Sequence, residues 1–500
     1  MDKPDSLRKI HTKPIPVGGG VVLFLTTVVV FFVCGGFASK GFHSLINAKI
    51  ILPLFLTSGF IVAVGLADDK WELSGKIKLF SQVIVATILI IFAGEYSTIS
   101  FFGTQYHLGH LFYPLGILWF VGLINAINFL DGADGVCSTA GLLMSLTAAV
   151  LAMITGQTAI VLTAVIFAGA LLGFLFCNFP PAKVYLGDTG SMLIGLVVGT
   201  LLLRSCTVEN RVINIVPPLA VVTIPIFDLV LSFFRRISSG RGLFSPDRGH
   251  IHHRLLVRLK NIRIVLLYFA LFFTLCGTAA VVSLKYQNDW AAVGVMILLP
   301  CGMILTRLFG WEEMNVLIGQ IVNRFAKHWN KTNYGKTGEV FCYQGNGPWK
   351  ELWMKIVTFL KQYHCVKAYL DINIPSHHEN YIAKWKFQDK SHHDDFIFLN
   401  ICLPFLEHDR KVGALDMYFD PRWISVKEIL EIAPQLENIC VSYITDYMRQ
   451  VDHHHFSPET FNPEIYFLRF DFLPMSRSQG GKNANEETSH IPIKVKPRRL

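Results

Sequence analysis

Five carboxylates stand where an apolar chain would avoid them. Asp68 and Asp69 lie in "GLADDKWELSGKIKLFSQ" (65–82), Asp131 and Asp134 in "NAINFLDGADG" (125–135), and Asp188 in "PPAKVYLGDTGS" (180–191). Each cluster adjoins a long uncharged run. A carboxylate at membrane depth costs roughly 2.5 to 3.5 kcal/mol on insertion scales, so such residues face a cavity or a partner and mark function. Brought together, like charges raise one another's pKa unless a cation offsets them. A hard divalent ion held by oxygen, Mg²⁺ first and Mn²⁺ in its place, would do so. Mg²⁺ takes one or two carboxylates together with substrate phosphates.

The surrounding residues suit a phosphate ligand. Gly132, Gly135, Gly187 and Gly190 permit tight turns and close backbone approach, and "GDTGS" opens an apolar helix whose N-terminal amides favour anions. Asn125 and Asn128, three apart, share a helix face and can donate to a ligand. In "FRRISSGRGLFSPDRGHIHHRLL" (234–256), His250, His252 and His253 supply further donors, and Arg248 can fork onto phosphate oxygens. Taken singly, each cluster has a plainer explanation. "DD" ends a solvated helix, glycine turns connect helices, and "RR" at 235–236 is an inner-face anchor. The histidines form a surface loop and suit softer ions than Mg²⁺. What points to a site is that an acid pole, an amide pair and a basic pole all fall on one side of the membrane.

That side follows from the elements that must carry these residues. Of 500 residues, 52% are hydrophobic and 16% charged, a composition that leans away from a soluble enzyme. Up to about Arg307 the apolar residues form long blocks, near 17–39, 49–66, 78–94, 110–129, 138–155, 158–177, 189–204, 213–234, 263–284 and 290–309. Most are of the length, about 17 to 25 residues, that crosses hydrocarbon. The expected fold is therefore an α-helical polytopic membrane protein of about ten transmembrane helices, with a C-terminal cytoplasmic α/β domain. Connections rich in Lys and Arg, including Lys3 to Lys13, Lys70 to Lys78 and Arg235 to Arg263, belong on the inner face, and all four polar motifs fall with them. The net charge of +9 gathers beside apolar blocks, which favours anionic lipid over nucleic acid as its partner. Ten cysteines, scattered singly, indicate neither a disulfide framework nor a zinc site. The polar, basic opening "MDKPDSLRKIHTKPIPVGGG" predicts no signal peptide.

In this order, the four motifs resemble those of the polyprenyl-phosphate N-acetylhexosamine-1-phosphate transferases, integral membrane enzymes that begin bacterial cell-envelope polysaccharides. The resemblance covers about residues 1–310. The "RKIHTKPIPVGG" start and the "HIHH" form look more like the N-acetylglucosamine-1-phosphate branch than the muramoyl-pentapeptide branch. It implies attack by undecaprenyl phosphate on the β-phosphorus of a UDP-N-acetylhexosamine, releasing UMP at the inner membrane. It also implies roles. Asp188 would ligate Mg²⁺ directly, and Asp68 and Asp69 would handle the metal or the lipid phosphate. Asp131, also a metal ligand, and Asp134 would organise metal and nucleotide with Asn125 and Asn128. Lys78, Arg248, His250, His252 and His253 would contact substrate. A homodimer is compatible with this reading. Relatives usually carry a further apolar helix before the "DKP" loop, so either the chain starts upstream of Met1, which is the expectation, or it lacks that helix.

Residues 311–475 read as an accessory α/β domain, with a helix-like link "EEMNVLIGQIVNRFAKHWNKT" and strands "FIFLNICLPFL" and "KVGALDMYFD" around "EHDRK". An amphipathic helix interrupted at Pro434 follows, a combination that weakly resembles the end of a GAF-like domain. The tail 476–500 reads as disordered. Two rival functions fit the sequence less well. A secondary transporter places its charges mid-helix between inverted repeats, which this chain lacks. A membrane-anchored sensor would leave the five aspartates unexplained.

Overall fold

The computed structural model describes residues 16–37, 50–71, 73–93, 98–208, 212–239, 249–311, 340–344, 349–363, 365–374, 379–386, 397–407, 410–419 and 472–474, together with single positions, among them several between 424 and 443. The chain divides into two compact units, Met1–Trp311 and Glu312–Leu500.

The first unit is helical. Its long helices are α1 (Gly19–Phe37), α2 (Ile51–Trp71), α3 (Gly75–Ala93), α4 (Phe112–Leu130), α5 (Val136–Ile154), α6 (Thr158–Asn178) and α7 (Gly187–Ser205). After α7 come α8 (Val216–Val221), α9 (Thr223–Ser239), α10 (Ile251–Leu259), α11 (Ile262–Tyr286) and α12 (Trp290–Leu305). Among the described residues seven helices are long and apolar enough to cross a membrane, namely α2 to α7 and α11; α1 and α12 are apolar over shorter stretches. A polytopic membrane protein is the architecture this supports, with fewer full-length spans among the described residues than the ten apolar blocks.

The block at 213–234 shows why. Its first residues form β4 (Val212–Asn214), the short α8 carries prolines at its first turn, and a fresh helix starts at Thr223. Pro217, Pro218 and Pro225 lack the amide that helix interiors need, so helices begin at them instead of running through. The resulting α9 buries Asp228, Ser232, Arg235 and Arg236, which an uninterrupted lipid-facing span would not.

Helix α7 is the centre of the bundle, buried along almost its whole length, with α1, α2, α4, α5 and α6 around it. Close approach depends on small residues, as is usual where helices pack without a hydrophobic drive between them. At Gly65 of α2 a Cβ would come within 2.8 Å of the Thr189 amide nitrogen, so only glycine lets α2 meet the start of α7. At the other end of these helices a small sheet of order β2-β1-β4-β3 forms from β1 (Thr98–Phe101), β2 (Thr104–His107), β3 (Thr207–Val208) and β4. It ties the exits of α3 and α7 together, because β1 pairs in parallel with β4.

The second unit holds a six-stranded sheet of order β10-β8-β9-β6-β7-β5. Its strands are β5 (Val340–Gln344), β6 (Cys365–Ile374), β7 (Glu379–Lys386), β8 (Ile397–Glu407), β9 (Arg410–Phe419) and β10 (Phe472–Pro474), all antiparallel to their neighbours. Helix α13 (Trp349–Leu360) contributes Trp349, Leu352, Trp353 and Ile356 to the same apolar core as Ala368, Leu370, Leu415 and Met417 of the sheet. Helical positions between Glu428 and Tyr443 include Pro434 itself. Most of the expected link and the tail at 476–500 fall outside the described residues.

Candidate active site

The site is built at the N-terminus of α7. Gly187 turns the chain with φ 73°, and Asp188 follows in the first helical turn. The free amides there do not wait for a ligand. Asp69 Oδ1 accepts from the Asp188 amide at 3.1 Å and Oδ2 from the Thr189 hydroxyl at 2.6 Å, so the anion seated on the helix start is the protein's own. Asp68, one residue earlier on α2, points elsewhere. Its Oδ1 accepts from the Leu73 amide at 2.8 Å and its Oδ2 from Lys78 Nζ at 2.7 Å. Lys78, near the start of α3, also reaches Asp188 Oδ2 at 2.8 Å. One ammonium thus holds a carboxylate from α2 and one from α7.

From α4, Asn128 donates to Asp188 Oδ1 at 3.2 Å and to Ser191 Oγ at 2.8 Å. Asn125 does not join it. Its amide donates to Gln82 Oε1 at 2.6 Å and to the Val121 carbonyl at 2.7 Å, and Gln82 in turn lies on Met192 Sδ at 3.8 Å. Asn128 therefore faces the acid pole, while Asn125 fastens α4 to α3.

Asp131 closes α4, its backbone amide on the Asn128 carbonyl. Among the described residues no donor reaches its carboxylate. Burial, and then the charges of Asp188, Asp69 and Asp134, push its carboxyl well above the usual carboxylate range. Asp134 has a tying role, accepting from the Ala182 amide at 2.9 Å. Beside it Asn178 accepts from the Gly135 amide and the Ser138 hydroxyl and donates to the Val184 carbonyl, which fixes the 131–135 turn to the segment leading into α7. The N-terminal "PVGG" stretch joins the same segment, with Val17 bridged to Tyr185 and the Gly19 amide on the Tyr185 carbonyl at 3.1 Å.

The histidines close the other side. His250 packs its ring 4.6 Å from that of Phe129, and His252 runs nearly parallel to it at 6.0 Å. A Cβ at Gly132 would run into the His252 ring, so the glycine of "LDGADG" makes room for the basic motif. His253 lies against His252, ring centroids 4.1 Å apart, and the Arg236 guanidinium sits 5.1 Å above Phe129. Arg248 falls outside the described residues.

Residues 51–206, the stretch that holds every expected carboxylate, match the family described as glycosyl transferase family 4. A probable undecaprenyl-phosphate N-acetylglucosaminyl 1-phosphate transferase of Bacillus subtilis is 33% identical over 334 residues, 66% of this chain and 88% of that protein. The chain belongs to glycosyl transferase family 4. Two other relatives extend the comparison. An undecaprenyl-phosphate alpha-N-acetylglucosaminyl 1-phosphate transferase of Thermotoga maritima is 32% identical over 285 residues, 55% of this chain and 80% of its own. A decaprenyl-phosphate N-acetylglucosaminephosphotransferase of Mycobacterium tuberculosis is 30% identical over 335 residues, 59% of this chain and 79% of its own.

In this family 4 chain no three His, Cys, Asp or Glu side chains among the described residues could hold a metal by themselves. Mg²⁺ takes one or two carboxylates and completes its shell with water and substrate phosphate. Asp131 brings carboxylate charge that no cation among the described residues offsets, with Asp188 close enough to raise it further. Sequence reasoning passed over Gln82, Asn178 and Asp228. Asp228 carried a readable signal, a carboxylate inside "IPIFDLVLSFF", within a block taken for a span.

Proposed function

We propose that the protein transfers N-acetylglucosamine 1-phosphate from UDP-N-acetylglucosamine to undecaprenyl phosphate, releasing UMP and starting a lipid-linked envelope polysaccharide. The observation that carries this reading is the convergence of four separated motifs, where Lys78 spans Asp68 and Asp188, Asn128 reaches Asp188, and Gly132 lies under His252. The names of the relatives supply the lipid phosphate and the N-acetylglucosaminyl 1-phosphate group.

A lipid phosphate monoester is already substantially ionised near neutral pH, so it needs placing more than deprotonating. One of its oxygens bonds to the β-phosphorus as the bond to the UMP oxygen breaks. Repulsion between the two anions is the main obstacle, and catalysis here is positioning and charge neutralisation. Asp188 and Asp131 would hold Mg²⁺, or Mn²⁺, which when bound offsets the diphosphate charge. Lys78 and Asn128 fix the Asp188 carboxylate, and His250, His252 and His253 form the donor side for the diphosphate and sugar, to which the family resemblance adds Arg248. Asp69 keeps α7 in register, and Asp134 holds the turn that carries Asp131. The Lys and Arg asymmetry of the connections supports a cytoplasmic site in the bacterial inner membrane.

The test is UMP release by purified protein in detergent, given undecaprenyl phosphate, Mg²⁺ and a panel of UDP-sugars. Lipid-dependent release from UDP-N-acetylglucosamine, lost in Asp188→Asn, is expected. Silence across the panel from folded protein would sink the reading.

A further inference from the structure

Asp228 is fully buried in α9, and nothing in the reaction above uses it. A carboxylate sealed from water is costly unless paired and hydrogen-bonded. Its two partners both belong to the start of the basic motif: Oδ2 lies 3.2 Å from His250 Nδ1, and Oδ1 accepts from the Ile251 amide at 3.3 Å. The ring is confined on its faces as well, by Phe129 and His252. Among the described residues none takes its Nε2.

A ring nitrogen facing a carboxylate carries the proton, so the hydrogen bond at one nitrogen decides what the other can do. We propose that Asp228 is a positioning residue that holds His250 with Nδ1–H on the carboxylate and Nε2 toward the diphosphate of the sugar nucleotide. When that diphosphate binds, the same carboxylate is the counter-ion for a ring protonated at both nitrogens, with Nε2–H donated to a phosphate oxygen. The inference rests on the transferase reading above. The charged or titratable groups on the elements around His250 are Asp228, Arg235 and Arg236 from α9, His252, His253, Arg254 and Arg258 on α10, and Asp131 after α4. Of these, Asp228 alone is within hydrogen-bond distance of the ring among the described residues.

Capping α10 is the competing role, since Asp228 also accepts from the Ile251 amide, and the experiment separates the two. Parent, D228N, H250Q and the double variant D228N/H250Q are compared by UMP release and by thermal unfolding. D228N keeps an acceptor for the Ile251 amide but gives Nδ1 no carboxylate. Its kcat should fall about 10- to 100-fold, as when outer partners of functional histidines are removed. The double variant should be no slower than H250Q within about twofold, because residues acting as one unit are not additive. Parental kcat in D228N, or penalties that multiply in the double variant, would leave Asp228 only a cap and overturn the proposal. Nitrogen-15 spectra of histidine-labelled parent, assigned by the signal lost in H250Q, give a reading independent of folding in D228N. Nδ1–H is expected, and a neutral ring protonated at Nε2 overturns the proposal. No UMP from the folded parent defeats the transferase reading, and this inference with it.

Discussion

Lys78 faces two carboxylates with one positive charge, and Asp68 is buried while Asp188 is partly open to solvent. Removing the ammonium leaves the buried partner uncompensated, which costs about 1 to 3 kcal/mol for a lost buried bond, more when a charge is left behind. Lys78→Met should therefore lower the thermal midpoint in detergent and abolish transfer, whereas Lys78→Arg should recover most of the stability. Equal midpoints for the parent and Lys78→Met would contradict the bridge. Asp131 predicts the opposite sign. Its folded pKa lies above the unfolded value, so the stability it contributes is present at low pH and is lost as pH rises through the raised value. In EDTA at pH 8, Asp131→Asn should unfold at a higher temperature than the parent, by roughly 2 to 4 °C per kcal/mol recovered, yet transfer nothing. A lower midpoint in the variant would refute the unpaired charge. The aspartates themselves were legible because apolar runs make carboxylates conspicuous. Their partners were not: Asp68 and Asp69 are neighbours in sequence, but successive helical residues point about 100° apart, so one takes Lys78 and the other caps α7.

Helices carry these side chains to the same place only if their backbones can approach. The contact of α2 with α7 has no room for a methyl at Gly65, where a Cβ would lie 2.8 Å from the Thr189 amide nitrogen. Gly65→Ala should cost about 1 to 3 kcal/mol, the usual price of overpacking, and should displace Asp69 from the Asp188 amide. Its signature is a lowered midpoint together with a raised KM for both substrates, measured on one preparation; unchanged values would mean the helices yield without disturbing the site. Most helices could be placed from the apolar blocks, since length and hydropathy decide whether a segment spans. The stretch 213–234 could not, because hydropathy averages over Pro217, Pro218 and Pro225 and over the buried Asp228. Asn125 misled for a related reason. Spacing puts it near the face of Asn128, but Gln82, 43 residues earlier in sequence, claims its amide.

At the scale of the molecule, every described residue of the site belongs to the unit that ends at Trp311, and that unit has a continuous apolar core of its own. The second unit has a separate core of Trp349, Trp353, Tyr381, Phe419 and their neighbours. The fall in apolar character near residue 310 is visible in composition, and the chain divides there into two compact units. The strand order β10-β8-β9-β6-β7-β5 was not, since only the β6–β7 and β8–β9 hairpins pair neighbours in sequence, and the central β6–β9 pairing is long-range. Two cores and one site make a definite demand on function. Protein truncated by deleting residues 325–500 should keep its membrane helices, and its kcat should stay within about threefold of the full chain, because no described group that touches Asp188, Asp131 or the histidines is removed. The comparison needs equal folded fractions, read by thermal unfolding, before UMP release is compared. Loss of transfer from a truncated protein that still unfolds cooperatively would mean that the second unit completes the site.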